Sequence, residues 1–395
     1  MRTLYKLLRR KGRLAVGVAG TGLLLTLTVY AFSVGSTAAS GAVKAQTAAA
    51  LAPGVANAQK DLAKIEAPIT AWHGPTSGPK LKRGVHIVIV SHQLSSPAEQ
   101  YDADAIKAIG DTIGWSVTVI DGQNMLPEEQ AALSQAAALK PDAIIAQAIP
   151  NSLYPQLAAI NKTTPVICLA TAPTAGPYPS VGCAVNIFQN YTQLGNAEAD
   201  WAIIHSGGHL RGIVPSDATY SIVTAKTDGI VNQFKKMGCT GCKVVLQVQT
   251  PFATAATELG TLVPAWLQTY GTPLWILSPT DYFDDYIVPA LKTVSASPSK
   301  VHVMGMDGNP PNIDAIRGGN GFQQMDIAIP FEYLGYQMVD NVNRALSQAQ
   351  FANYTTPIWV VDKSNIGKYG ETNDALIPGG NYAQHYRKLW ATGHS

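Results

Sequence analysis

VHVMGMDGNPPNIDAIRGG, residues Val301 to Gly319, is the stretch that decides the fold. Val301, Val303, Met304 and Met306 make a short apolar run that reads as a buried strand. The run ends in Asp307-Gly308, a carboxylate on a sharp turn. Asn309-Pro310-Pro311-Asn312 then opens a short helix, because Asn caps well and Pro fits the first helical turn, and Gly318-Gly319 stops it. A carboxylate just beyond the C-terminal end of a buried strand, beside a helix start, is where open α/β sheets bind ligands. The remainder of the chain is expected to supply a second wall for that site.

Working outward, the same strand-then-helix pattern repeats. From Gly84 the strand Val85–Val90 leads into the polar loop Ser91-His92-Gln93-Leu94-Ser95-Ser96-Pro97, followed by a helix over 98–113 with Ile106, Ile109 and Ile113 at helical spacing. Strands follow at 116–120, 142–147 and 165–169, with helices at 127–139 and 153–161 between them. A second series begins after Asn186: helix 191–205, strand 210–214, helix 225–237, strand 243–249, helix 253–270, strand 275–277 and helix 286–294. Beyond Gly319 come a strand over 325–330, a long helix over 331–346 and a last strand over 357–361. Val/Ile-rich strands alternating with helices imply parallel sheets covered on both faces, an α/β fold in two similar Rossmann-like halves.

The bulk properties agree. A chain of 395 residues exceeds what one core usually holds, so two lobes are expected. Apolar content of 46% with 14% charged residues is that of a globular protein. The formal charge of +2 misleads, because Arg2, Lys6, Arg9, Arg10, Lys11 and Arg13 precede any acid; subtracting these six from +2 leaves −4. A mildly acidic remainder has no electrostatic footprint for nucleic acid. The basic head is followed by an apolar run, Leu14–Val34, and by small residues from Ser36 to Ala42, the order of a secretory signal. The run is also long enough to span a bilayer, so an uncleaved membrane tether is the rival reading of residues 1–40. Arg9-Arg10 matches a twin-arginine signal only weakly, and no Cys lies near for a lipid anchor. Either way the protein is expected outside the cytoplasm, periplasmic or extracellular. Residues 41–83 read as a spacer with one modest helix at 55–65, and Trp72 as either a plug onto the domain surface or a loose anchor.

Cys168, Cys183, Cys239 and Cys242 all lie in the exported part, where disulfides persist. Four cysteines permit three pairings. The local one, Cys168–Cys183 with Cys239–Cys242, is favoured because each pair brackets a short loop. Cys239-Thr240-Gly241-Cys242 follows a helix, whereas redox chemistry expects the motif at a helix start, so a structural clip is favoured over a redox pair or half a zinc site. Enzyme signatures are missing from the sequence: there is no Gly-x-Ser-x-Gly, no His-Glu-x-x-His and no phosphate loop. His205 and His209 are separated by helix-ending glycines, and no metal or cofactor is expected. Asn161, Asn190 and Asn353 begin tripeptides of the glycosylation pattern, which short chance matches also produce.

As an ordered set, SHQLSSP, IGWSVTVIDGQN, KPDAIIAQAIP, VMGMDGNPPNIDAIRGG and IAIPFEYLGYQMVDNVNRAL resemble the type I periplasmic binding proteins, specifically the ribose-binding-like, sugar-type substrate-binding proteins of ABC importers. The similarity spans about residues 84–362. It implies two lobes joined by about three crossovers, near 185–188, 328–330 and 355–358, closing on a small polar solute, a sugar or sugar derivative, for delivery to ABC permease subunits. Lobe one would be 84–186 plus 331–355, and lobe two 187–330 plus 356–395. A membrane-tethered ligand-binding module of a chemosensory system is the alternative. A transcription regulator of this fold would need a helix-turn-helix where the signal segment stands.

The resemblance makes Asp307 the leading ligand contact, accepting hydrogen bonds from solute hydroxyls, and points to Asp281 at the end of another strand. Ser91, His92, Gln93 and Ser95 lie on the first-strand loop, of which at least one is expected to face the cleft. Asn151 and Thr171 follow the third and fourth strands, with capping as the competing role for Asn151. Asp217 either faces the cleft or caps a turn. Phe188, Tyr220, Tyr282 and Phe283 are candidates for the apolar face of a sugar. Where ribose-type relatives place stacking aromatics after the first-strand Pro, this chain has Ala98-Glu99, which argues against a simple pentose.

Overall fold

A computed structural model describes residues 52–67, 71–187, 189–319, 321–352, 355–368 and 381–393. The leader, Phe188 and the Asn353-Tyr354 pair lie outside the described residues. Helix α1 (Val55–Ile65) comes first, and sheet formation begins at β1 (His86–Ser91). After α2 (Pro97–Ile113) come β2 (Ser116–Asp121), α3 (Leu126–Ala138), β3 (Ala143–Gln147), α4 (Tyr154–Ile160), β4 (Val166–Leu169), β5 (Gly176–Tyr178) and β6 (Cys183–Ile187). These strands form one sheet in the order β2-β1-β3-β4-β6-β5, parallel except for the β5–β6 hairpin.

The alternation of side chains in β1 shows why this sheet is covered twice. Ile87 and Ile89 pack with Ile106 and Ile109 of α2, while Val88 and Val90 point the other way onto Leu133 of α3 and Leu157 of α4. β1 is therefore left with no polar face and lies in the interior of the sheet.

The second sheet is built the same way. Helix α5 (Tyr191–His205) leads to β7 (Leu210–Ser216), α6 (Ser221–Met237), β8 (Cys242–Gln249), α7 (Phe252–Tyr270), β9 (Leu274–Leu277), α8 (Asp281–Thr293), β10 (Val301–Asp307), α9 (Pro310–Gly318) and β11 (Gln323–Ala328). Helix α10 (Phe331–Leu346) returns to pack on α2, β12 (Trp359–Asp362) pairs antiparallel with β11, and α11 (Tyr382–Thr392) ends the described chain. The order is β12-β11-β10-β9-β7-β8. The chain therefore passes between the two sheets after β6, after β11 and again after α10.

Two elements begin earlier than the sequence suggests. Helix α6 starts at Ser221 and not at residue 225, and α8 starts at Asp281 and not at residue 286, because Thr280 caps it through its side chain. The β5 hairpin and α11 were not anticipated. Helix α11 lies on α10, with Tyr336 stacked on Tyr386 and Trp390 and the Trp390 indole N–H donating to buried Asp340 at 2.9 Å.

The described parts of residues 41–83 pack against the folded chain. Helix α1 docks on α5 and α6, with Asn57 donating to the Met237 carbonyl at 3.0 Å and Gln233 donating to Asp61 at 3.0 Å. Trp72 does plug the surface, stacked on His385 at 4.4 Å and edge-on to Tyr333 and Tyr386. Further on, the Lys82 N–H donates to Asn343 on α10. The cysteines pair as the favoured local reading expects, Cys168 with Cys183 and Cys239 with Cys242. Among the described residues no helix is long and apolar enough to cross a membrane.

Helices α5 and α6 touch backbone to backbone, because Gly195 and Gly229 face each other. A Cβ at Gly195 would fall on the Lys226 carbonyl, and one at Gly229 on the Thr192 carbonyl. Gly195→Ala is therefore expected to cost about 1–3 kcal/mol, the usual penalty for overpacking, measured by urea denaturation. A neutral result would mean that α6 is free to shift.

Candidate functional site

The C-terminal ends of both sheets face a shared cavity of about 60 Å³. Lobe one contributes His92 after β1, Glu99 and Asp102 on the first turns of α2, and Gln147 at the end of β3. Lobe two contributes Tyr220 before α6, Lys226 on α6, Phe252 at the start of α7, Thr280 before α8 and Asp307 at the end of β10.

Asp307 is the fixed point of this wall. Its φ is 121°, a backbone region that residues with side chains rarely adopt and that costs about 1–3 kcal/mol. Both carboxylate oxygens are held within the protein. Oδ1 accepts from Lys226 Nζ at 2.8 Å and Oδ2 from Thr280 Oγ1 at 2.7 Å. Lys226 also donates to the Pro279 carbonyl at 2.9 Å, so its charge is fully engaged although only 5% of its side chain is exposed.

Behind the turn lies a second tier of carboxyls. Asp326 accepts from the Gly308 N–H at 3.0 Å, and Asp281 from the Asn309 N–H at 2.8 Å. The Gln323 amide bridges Asp281 Oδ1 at 3.1 Å and Asp326 Oδ2 at 3.2 Å. Asp284 and Glu198 are buried beside them. Burial, reinforced by mutual repulsion, holds Asp281, Asp284 and Glu198 well above the ordinary carboxylate range and raises Asp326 to about 7. Among the described residues no group of His, Cys, Asp or Glu is arranged to hold a metal ion.

A seam of hydrogen bonds shuts the lobes around the cavity. The Asn151 N–H donates to the Thr219 carbonyl at 3.0 Å, its amide to the Ala218 carbonyl at 3.2 Å, and its Oδ1 accepts from the Ser221 N–H at 3.1 Å. Ser221 Oγ donates to the Thr171 carbonyl at 3.2 Å. Tyr220 OH lies 2.9 Å from His92 Nδ1, which is also 3.0 Å from Glu129 Oε1. Asn124 donates to Tyr282 OH at 3.4 Å.

Of the residues singled out from sequence, Asp307, His92 and Tyr220 line the cavity. Asn151, Thr171 and Tyr282 belong to the closing seam. Asp281 supports the Asp307 turn from behind, because it is the first residue of α8 and not a strand-end residue open to the cleft. Asp217 caps, accepting from the Thr219 and Phe252 N–H groups at 2.8 and 2.9 Å. Gln93 is buried and accepts from Ser95 Oγ at 3.1 Å, Ser91 is buried and Ser95 faces solvent; none of the three lines the cavity. Phe283 is core. Phe188 lies outside the described residues.

Sequence reasoning missed Lys226, Glu99, Asp102, Gln147 and Thr280. Lys226 did leave a signal: it lies in the helical stripe Ile222-Lys226-Ile230, and a lysine on an apolar face requires a partner. Three lining atoms have no hydrogen-bond partner, namely His92 Nε2, Glu99 Oε2 and Gln147 Oε1. Buried polar atoms left open at a cavity wall are groups that a bound molecule would satisfy.

Two α/β lobes of like construction, meeting at their strand ends over a small polar cavity, define a two-lobed ligand-binding protein. Residues 87–350 match the family model described as a periplasmic binding protein domain, and the chain belongs to that family. No curated protein matches the sequence. Among solved structures, a solute-binding protein of an ABC transporter from Agrobacterium vitis, with bound allitol, is 19% identical with a TM-score of 0.62, covering 72% of this chain and 97% of that one. A carbohydrate transporter solute-binding protein from Agrobacterium radiobacter, in complex with D-arabinose, is 19% identical with a TM-score of 0.64, over 72% and 96%. One from Bacillus halodurans, with bound myo-inositol, is 20% identical with a TM-score of 0.60, over 74% and 98%.

Removing the Asp307 carboxylate leaves a buried ammonium without its counter-ion. Asp307→Ala is expected to destabilise the protein by about 3–5 kcal/mol, and Asp307→Ala with Lys226→Met by much less, read from denaturant midpoints. Equal losses in the single and double variants would show that the ion pair is not what holds the turn.

The buried acids set a pH dependence of known sign. Asp326 keeps its proton to about pH 7 when folded, against an ordinary value of 3.8, so the folded state binds more protons between these values. That contribution is fully present below the ordinary value and is lost as pH rises through the folded one. Asp326→Asn, which mimics the protonated acid, is expected to flatten the fall in melting temperature between pH 5 and pH 8. An unchanged slope would place the pH dependence elsewhere.

Proposed function

We propose that this protein captures a small polyhydroxylated solute, a sugar or polyol, between its two lobes and presents the closed form to the membrane subunits of an ABC importer. The observation that carries the reading is the cavity itself, lined from both lobes and offering His92 Nε2, Glu99 Oε2 and Gln147 Oε1 without partners. A polyol carries several hydroxyls that donate and accept in many directions, which is what such a wall needs. Family membership and the sugar- and polyol-bound relatives point the same way.

The chemistry is holding. His92 is committed to Glu129 and Tyr220, and Asp307 to Lys226 and Thr280. The basic and apolar leader supports export, placing the lobes in the periplasm or outside the cell. The ligand sites and the division into lobes at the three passages between sheets are part of this reading.

The test is a thermal-shift screen against pentoses, hexoses, polyols, amino acids and nucleosides. A solute that binds only the folded state stabilises it by about 2.7 kcal/mol at a hundred times its Kd. A rise in melting temperature with one or more sugars or polyols is expected. Shifts produced only by amino acids or nucleosides would overturn the assignment of solute class.

A further inference from the structure

The chain ahead of the first sheet is anchored on both halves of the molecule. Helix α1 lies on α5 and α6, which cover the second sheet, and buries Val55, Ala58 and Leu62. Asn57 and Gln233 add hydrogen bonds across that contact, to the Met237 carbonyl and to Asp61. Residues 72–82 lie instead on α10 and α11, and α10 packs on α2 and the first sheet. Trp72 stacks on His385 at 4.4 Å, and Arg344 donates to the Ser77 carbonyl at 2.6 Å. The Leu81 N–H donates to the Trp390 carbonyl at 3.0 Å, and the Trp115 indole, just before β2, to the Lys82 carbonyl at 2.8 Å.

Packing and paired polar groups hold both ends, so neither slides freely over its helices. Only residues 66–71 join Ile65 at one anchor to Trp72 at the other, and a chain of that length reaches at most about 25 Å when fully extended. Ile65 and Trp72 border one cavity with Gln193 in the first turn of α5, Tyr333 in the first turn of α10, and Thr356 and Pro357. Those four residues follow the three passages between the sheets or lie on them, so the anchored chain runs beside all three. A hinge turns about such passages, and a fourth connection pinned on both sides restrains it. Residues 55–82 and α11 also lie outside the residues 87–350 that match the family, so this connection is an addition to the matched core.

We propose that residues 55–82, seated on α10 and α11 at one end and on α5 and α6 at the other, strap the two lobes together beside the hinge and narrow the range over which they open. This inference rests on the reading of two lobes that part about three passages. A segment that served stability alone would need to pack on one lobe only. This one spends its first anchor on one lobe and its second on the other, with few residues between them.

The experiment cuts the strap after the protein has folded. Ala67→Gly with Pro68→Arg turns residues 65–68 into Ile-Glu-Gly-Arg, which factor Xa cleaves, and leaves the chain length unchanged. Gln130→Cys on α3 and Ala256→Cys on α7, both at exposed positions, carry spin labels on opposite lobes. Pulsed dipolar spectroscopy then reads the interlobe distance before and after cleavage, with the labelled chain that lacks the cleavage site, treated with the same protease, as control. Cleavage is expected to extend the distribution to longer distances by more than about 2 Å, the scale of a hinge rearrangement. An unchanged distribution in the cut protein would overturn the restraint, and a lower melting temperature alongside it would make the strap a stabilising appendage only. A sugar or polyol that shifts the melting curve leaves solute capture standing whichever way the distances fall. Absence of any such shift would remove capture and leave the distance result to decide the strap by itself.

Discussion

The ion pair between Lys226 and Asp307 is the constraint on which the site depends. It joins the middle of a helix to the end of a strand, and so fixes a part of lobe two where the backbone is strained. An aspartate with φ of 121° persists only where its surroundings over-determine it. Here the Lys226 and Thr280 bonds hold the side chain, and Asp326 and Asp281 hold the next two backbone N–H groups. Lys226 in turn is placed by the close crossing of α5 and α6, which only the facing glycines permit. Packing between two helices thus sets the position of a charge on the cavity wall.

The carboxyls behind the turn explain why so polar a region can be buried. Held protonated, Asp281 and Asp326 act as a hydrogen-bonded pair with Gln323 between them, in place of two repelling anions. The site is therefore layered. The front tier is charged and paired, and the rear tier is largely neutral and rigidifying.

The architecture was legible because buried strands announce themselves. His-Ile-Val-Ile-Val-Ser in β1 and Val-His-Val-Met-Gly-Met-Asp in β10 have few alternatives as secondary structure, and α5 and α10 were readable to both ends. The start of α8 was not, because Ser-Pro-Thr-Asp reads as a loop until the Thr280 hydroxyl is seen capping the helix. The site was only partly legible for a similar reason. Strand-end residues such as Asp307 and His92 stand out by position. Glu99, Asp102 and Lys226 sit on helices, where a charged residue reads as solvated until tertiary packing turns it inward. Asn151 shows the limit from another side, since a helix cap and an interlobe contact use the same side chain and the same spacing.

The closing seam has a kinetic meaning. Asn151, Ser221, Tyr220 and His92 bond lobe to lobe around a cavity of about 60 Å³, so the arrangement described is a shut one with no ready entrance for a sugar-sized molecule. A solute must wait for these bonds to part. Capture from this arrangement requires an open state, and the apparent affinity is the intrinsic affinity diluted by the fraction of molecules that are open. At high solute concentration the rate of association reaches a plateau set by the protein's own opening, and the strength of a few rim hydrogen bonds becomes the timer of uptake.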